Sequence, residues 1–191
     1  MIYFTSDLHL GHKFVLEHRK MFSDIDGMNR ELINNINEKL TRNDTLYILG
    51  DASYRLNPDE ASVLLRKIKC RKILIRGNHD KEYDPDVFED VSDYLELKYN
   101  KHKFILCHYP FVCWKQMRHG SINLHGHIHS SPEYNEENRA TGRLQYDVGV
   151  DANGYKPVSI DRILNWAASS PREEYKGLNH HITEETADEE S

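Results

Sequence analysis

Short apolar runs and amphipathic stretches take turns along the first half of the chain. Ile2 to Ser6, Thr45 to Leu49 and Lys72 to Ile75 are brief apolar runs that read as buried strands. Between the first two, Phe14 to Lys20 predicts a helix. Met28 to Leu40 predicts a longer one, because Leu32, Ile33, Ile36 and Leu40 recur at helical spacing. Asn57-Pro58-Asp59-Glu60 reads as a helix start, since proline suits the first turn and acidic residues favour the dipole. That helix is expected to run to about Ile68, giving a βαβαβ order.

The second half reads mostly as strand. Tyr94 to Lys98 and Lys103 to Cys107 flank the polar Tyr99-Asn100-Lys101-His102, a hairpin pattern. Ile122 to Leu124, Gln145 to Val148 and Val158 to Ile160 are further strands, with the turn-rich Asp151-Ala152-Asn153-Gly154 before the last. No repeat or linker divides the halves, so one domain is expected over residues 1–170. Residues 171–191 lack periodicity and gather Glu184, Glu185, Asp188, Glu189 and Glu190, which reads as an acidic, mobile tail.

Composition narrows the class. At 191 residues and 38% hydrophobic content the chain suits one soluble globular domain, with no apolar run long enough to cross a bilayer. It opens on a strand rather than a basic and apolar leader, so a cytoplasmic location is expected. A net charge of −6 argues against a protein that coats nucleic acid. Three unevenly spaced cysteines, Cys70, Cys107 and Cys113, form no disulfide framework, and Cys107 reads as a small buried hydrophobe.

The candidate chemistry sits in five segments: Asp7-Leu8-His9, Gly50-Asp51, Gly77-Asn78-His79-Asp80, His108, and Gly126-His127-Ile128-His129. Each follows a predicted strand. A parallel sheet gathers the C-terminal ends of its strands at one edge, so side chains this far apart in sequence can converge. Asp7, Asp51, Asn78, His9, His108, His127 and His129 form a nitrogen and oxygen donor set without thiolate, suited to two divalent ions. Such a centre activates water toward a phosphate ester. Strand alternation would place Asp7 and His9 on one face, and likewise His127 and His129.

In order and local sequence these segments resemble the calcineurin-like metallophosphoesterase superfamily, whose pattern runs D-x-H, G-D, G-N-H-[D/E], H, G-H-x-H. The resemblance spans about residues 2 to 160, with every block intact. It implies a four-layer α/β/β/α sandwich of two mixed β-sheets flanked by helices. It also implies two divalent ions, manganese first, with iron, zinc or nickel as alternatives. By the same resemblance Asp7, His9 and His129 hold the first ion, and Asn78, His108 and His127 the second. Asp51 bridges them through its two oxygens. The implied reaction is in-line attack by hydroxide held between the ions, with His79 giving a proton to the leaving oxygen. Asp80 would support the loop or cap the next turn. His12 and His125 would orient ligands or simply pack, while His18 and His102 read as surface residues.

The chain departs from the family's protein phosphatases at one block. Their G-D-x-x-D-R is here Gly50-Asp51-Ala52-Ser53-Tyr54-Arg55, with tyrosine in place of the second aspartate. Arg55 keeps its place and could grip phosphate, beside Asn78, or stand in solvent. The segment from Tyr109 to Gly120, read as leaving and returning to the metal edge, is expected to form a rim. There Trp114 and Tyr109 would stack on a base and Arg118 or His119 would hold phosphate, unless the aromatics pack on the sheet. An open, shallow cleft follows. The reading reached is a hydrolase of small phosphodiesters or nucleotides. A repair-type DNA nuclease, not favoured by the acidic charge, and a non-catalytic interaction module of the same fold are the alternatives.

Overall fold

The computed structural model describes residues 1–171. The tail expected over 171–191 lies, apart from Pro171, outside the described residues.

The first sheet has the order β4-β3-β2-β1-β9. Its strands are β1 (Ile2–Thr5), β2 (Thr45–Ile48), β3 (Arg71–Ile75), β4 (Asp90–Ser92) and β9 (Val158–Ser159). β1 to β4 are parallel and β9 joins β1 antiparallel. The second sheet has the order β5-β6-β7-β8, built from β5 (Leu95–Tyr99), β6 (His102–Leu106), β7 (Ile122–His125) and β8 (Gln145–Asp147). Here β5 and β6 make the expected antiparallel hairpin, while β6, β7 and β8 run parallel. Both sheets are therefore mixed, as the family resemblance implies.

Strict alternation sorts the first sheet's side chains between two cores. Leu46, Ile48 and Leu74 face one way, toward α1 (Ile25–Lys39) and α2 (Pro58–Arg66), whose Met28, Leu32, Ile36 and Leu65 are buried there. Phe4, Tyr47, Leu49 and Ile75 face the other way and meet Phe104, Leu106, Ile122 and Leu124 of the second sheet. The Phe4 and Phe104 rings stack across the gap at 6.3 Å. Each fully buried aliphatic side chain contributes roughly 1.5–3 kcal/mol relative to exposure. α4 (Ile160–Ala168) adds Ile160, Ile163 and Trp166 to this inter-sheet core.

Caps set the helix starts. Asp24 accepts from Gly27 N at 2.7 Å, so α1 begins a turn before the apolar periodicity. Asn57 and Glu60 form a reciprocal capping box on α2, with Pro58 inside it. The helix expected over Phe14 to Lys20 is instead a 3-10 turn at Lys13–Glu17, where Val15 alone is buried and no apolar stripe anchors a longer element. The run Val158 to Ile160 stops being strand at Ser159, because Ser159 caps α4 by accepting from Arg162 N. α3 (Pro132–Thr141), for which the sequence pattern predicts no element, lies along the free edge of β8. Its Asn135 exchanges two hydrogen bonds with the Asp147 backbone, and Asn138 donates to Gln145 O. An otherwise open sheet edge is thereby closed.

Candidate metal centre

The loops after β1, β2, β3, β6 and β7 bring Asp7, Asp51, Asn78, His108 and His127 to one edge of the sandwich. Two clusters have ligand atoms within 4.8 Å of one another: Asp7 with His9 and His129, and Asp7 with Asp51 and His108. The atoms form a row. His129 Nε2 is 3.1 Å from His9 Nε2, which is 3.5 Å from Asp51 Oδ2, which is 3.6 Å from His108 Nε2. Asn78 Oδ1 lies 3.0 Å from His108 Nε2, and the His127 ring stands 5.0 Å from that of His108.

Strand alternation does not produce this convergence. Asp7, His9, Asp51, His127 and His129 all have left-handed backbone, with φ of 56°, 49°, 53°, 71° and 46°. Such conformations are disfavoured for residues bearing a Cβ and persist only where the surroundings enforce them. Here Asp7 N donates to Gly50 O, His9 N to Asp51 O, and His127 N to the Asp7 carboxylate. Two glycines allow the approach: a Cβ on Gly126 would collide with Ser6 Oγ and Asp7 Oδ2, and one on Gly77 with Asp51 Oδ1.

The donor set fits a cation. His108 Nδ1 donates to Leu49 O at 2.8 Å, so its Nε2 carries a lone pair aimed at the Asn78 carbonyl oxygen. His129 Nδ1 donates to Asp151 at 2.8 Å, which turns a second lone pair toward His9 Nε2. The Nδ1 of His9 is buried without a partner. His9 Nε2 can donate to His129, but His108 Nε2 and Asn78 Oδ1 face each other as acceptors, which is costly in a buried site unless a positive charge sits between them. Burial pushes His9 down to about 2, keeping it neutral and able to ligate. Burial, with Asp147 and Asp51 nearby, pushes the Asp7 carboxyl up.

The two oxygens of Asp51 have different surroundings. Its Oδ1 accepts from His79 N at 2.9 Å, leaving Oδ2 between His9 and His108. Asp80 supports the loop across the site, accepting from Asp51 N, Ala52 N, Gly77 N and the Tyr83 hydroxyl. His79 stays outside the ligand row, 38% exposed, with Nε2 4.0 Å from Asp51 Oδ2. Tyr54 stacks on His12 at 3.7 Å and meets His79 edge-on at 4.6 Å, and the exposed Arg55 places its guanidinium 5.1 Å from the Tyr54 ring. Tyr109 keeps its ring 4.7 Å from His127.

Trp114 and Arg118 are elsewhere, and the rim expected from residues 109–120 does not form. β6 and β7 are parallel, so the segment joining them must travel from the metal edge to the opposite one. Trp114 is buried on the way, its Nε1 donating to Ser121 O at 3.0 Å and Arg143 over its ring at 5.3 Å. Trp114, Arg118 and His119 line a cavity with Leu144 and Ala167, remote from the ligand row.

Sequence reading missed Arg19 and Asp151. The guanidinium of the fully buried Arg19 grips both Asp151 oxygens, at 2.8 and 2.7 Å, and donates to Asp7 O. Asp151 in turn orients His129, a carboxylate behind a candidate ligand histidine. A lone arginine in a polar segment gave no signal, although an acidic residue in the Asp151 turn, 22 residues beyond His129, was visible. His125 is buried against Tyr134, away from the row.

The family model for calcineurin-like phosphoesterases matches residues 1–185. An uncharacterized protein of Methanocaldococcus jannaschii is 34% identical over 167 residues, covering 85% of this chain and 89% of that protein. The gene 66 protein of Mycobacterium phage L5 is 28% identical, covering 96% of each. Among solved structures, a protein of unknown function from Aquifex aeolicus superposes with a TM-score of 0.68 at 26% identity, over 86% of this chain and 98% of that one. The family model spans nearly the whole chain and the fold agrees with that likeness, and the chain belongs to the calcineurin-like phosphoesterase family.

Proposed function

We propose that this protein hydrolyses phosphate esters, small phosphodiesters or nucleotides, with two divalent cations at the row of ligands. Asp7, His9 and His129 would hold one, Asn78, His108 and His127 the other, and Asp51 would serve both. The observation that carries this reading is the gathering of acceptors around Asp51 Oδ2, where the His108 Nε2 lone pair faces the Asn78 carbonyl oxygen on one side and the His9 and His129 rings close in on the other. Oxygen and imidazole donors without sulfur suit manganese, iron, zinc or nickel, and manganese is the ion proposed first. Such ions, when bound, supply a nucleophile from water and neutralise phosphoryl oxygens.

The chain's own groups do the rest. His79 lines the cleft beside His9 and His129 without belonging to the row, so its imidazole can give a proton to the departing oxygen. Tyr54 holds that imidazole by ring contact where the protein phosphatases use a carboxylate, and Arg55 stands next to it to meet a phosphate oxygen. The test is to strip the protein of metal and supply Mn, Ni, Zn, Fe(II) or Mg with p-nitrophenyl phosphate and bis-p-nitrophenyl phosphate side by side. Metal-dependent turnover, faster on the diester, is expected. Efficient dephosphorylation of phosphoserine peptides without diester turnover would overturn the diester preference.

A further inference from the structure

Exposed aromatic rings stand at both ends of the ligand row. At the His129 and His9 end opens a cleft of ≈ 670 Å³ lined by Phe14, Val15, Glu17, His18, Ser131 and Tyr155. That is the size of sites that enclose a whole organic ligand, about 300–1,000 Å³. Phe14 is 67% exposed and its ring makes no aromatic contact among the described residues. At the other end Tyr109, 44% exposed, leans on His108 and His127 with centroids 5.0 and 4.7 Å away. Between the two ends sits Asp51 Oδ2.

We infer that the substrate is a phosphodiester with a base-sized planar group on each side of the phosphorus, a dinucleotide, stacked on Phe14 at one end and Tyr109 at the other. The inference rests on the phosphoesterase reading above and specifies its substrate. A monoester has one organic arm and would leave one ring idle. The cleft's lining favours a heteroaromatic arm over an acyl chain, because Glu17, His18 and Ser131 can meet a hydrogen-bonding base edge beside the Phe14 face. A long polyanion is opposed by the net charge of −6.

The experiment compares three esters whose leaving groups are all alkoxides, using the full chain loaded with Mn(II). They are a dinucleoside monophosphate, the methyl ester of a nucleoside 5′-phosphate, and the methyl ester of ribose 5-phosphate. In the wild type, kcat/KM should fall by about tenfold with each base removed, the worth of one stacked base. Phe14→Ala and Tyr109→Ala should each lower the dinucleoside value by about tenfold while metal content by elemental analysis stays at the wild-type level. Phe14→Trp and Tyr109→Phe should retain it, which separates stacking from support of the neighbouring histidines. A flat series in the wild type, or alanine variants with undiminished dinucleoside turnover, would overturn the inference. So would turnover confined to monoesters or to duplex DNA, with the phosphoesterase reading left standing. No turnover of any ester with any metal would overturn both.

Discussion

At the C-terminal edge of the strands a cleft of ≈ 670 Å³ is lined by His9, His12, His79 and His129; at the opposite edge a cavity of ≈ 520 Å³ is lined by Trp114, Met117, Leu144 and Ala167. The two are similar in size, and the second holds the larger aromatic. They differ in what their polar atoms lack. Around Trp114 the indole N–H, the Ser121 hydroxyl and the Arg143 guanidinium all have acceptors within the fold. Around His9 a buried ring nitrogen has none, the neighbouring His108 lone pair faces the Asn78 oxygen, and the backbone of the candidate ligands is left-handed. Chemistry follows unmet valence and enforced strain, more than cavity size or aromatic content.

The comparison is broken or sharpened by substitutions at each edge. Asp51→Asn removes the one carboxylate oxygen between His9 and His108, and activity should fall by more than about 10³-fold, beyond the loss of a single transition-state donor. Elemental analysis should give two ions per wild-type chain and fewer in the variant, and one ion in fully active protein would break the model. His79→Ala should keep both ions and lose about 10²–10⁴-fold in turnover. That loss should be smaller on nitrophenyl esters, whose phenolate departs without a proton, than on nucleotides. An equal loss on both would move His79 from proton donor to phosphate binder.

Smaller effects are expected behind the ligands. Asp151→Asn should weaken metal binding by about 10–100-fold, read by chelator competition, because His129 loses the carboxylate that fixes its orientation. Unchanged affinity would make Asp151 a partner of Arg19 alone. At the opposite edge, Trp114→Ala should cost about 3 kcal/mol in urea unfolding while ester turnover per folded molecule stays near wild type. Trp114→Phe provides the milder version should the alanine variant fail to fold. A collapse of turnover in well-folded Trp114→Phe would join the two edges functionally.

How much of this was legible in the sequence depended on the kind of signal. The first-sheet strands are buried on both faces, so Leu46-Tyr47-Ile48-Leu49 stands out as an unbroken apolar run. The seven candidate ligands were readable because each follows such a strand directly. α3 was not, since only Asn135 of its ten residues is buried and it is held by amide bonds to β8 in place of an apolar face. α4 had a stripe in Ile160, Ile163 and Ala167, but Val158 and Ile160 resemble a strand until Ser159 is recognised as a cap. The misplacement of Trp114 and Arg118 had a topological cause. Had β6 and β7 been antiparallel, the segment between them would have returned to the metal edge; their parallel pairing is a fact of the sheet, with no local signature.

The bond between Arg19 and Asp151 joins residues 132 positions apart, and β1 lies between β2 and β9. During synthesis the first strand therefore waits for the last, and a nascent chain that has exposed Asp7, His9 and Asp51 still lacks His108, His127, His129 and the carboxylate that aims His129. Such a fragment offers a passing cation only a few floppy donors and holds it weakly. Selection of the proposed metal would thus be deferred until translation has passed residue 151, when competing ions would meet a finished cage instead of a string of ligands. The wait has a kinetic counterpart. A topology that closes over such distances folds slowly, so the interval between synthesis and capture of the proposed ions would be set by folding as well as by translation.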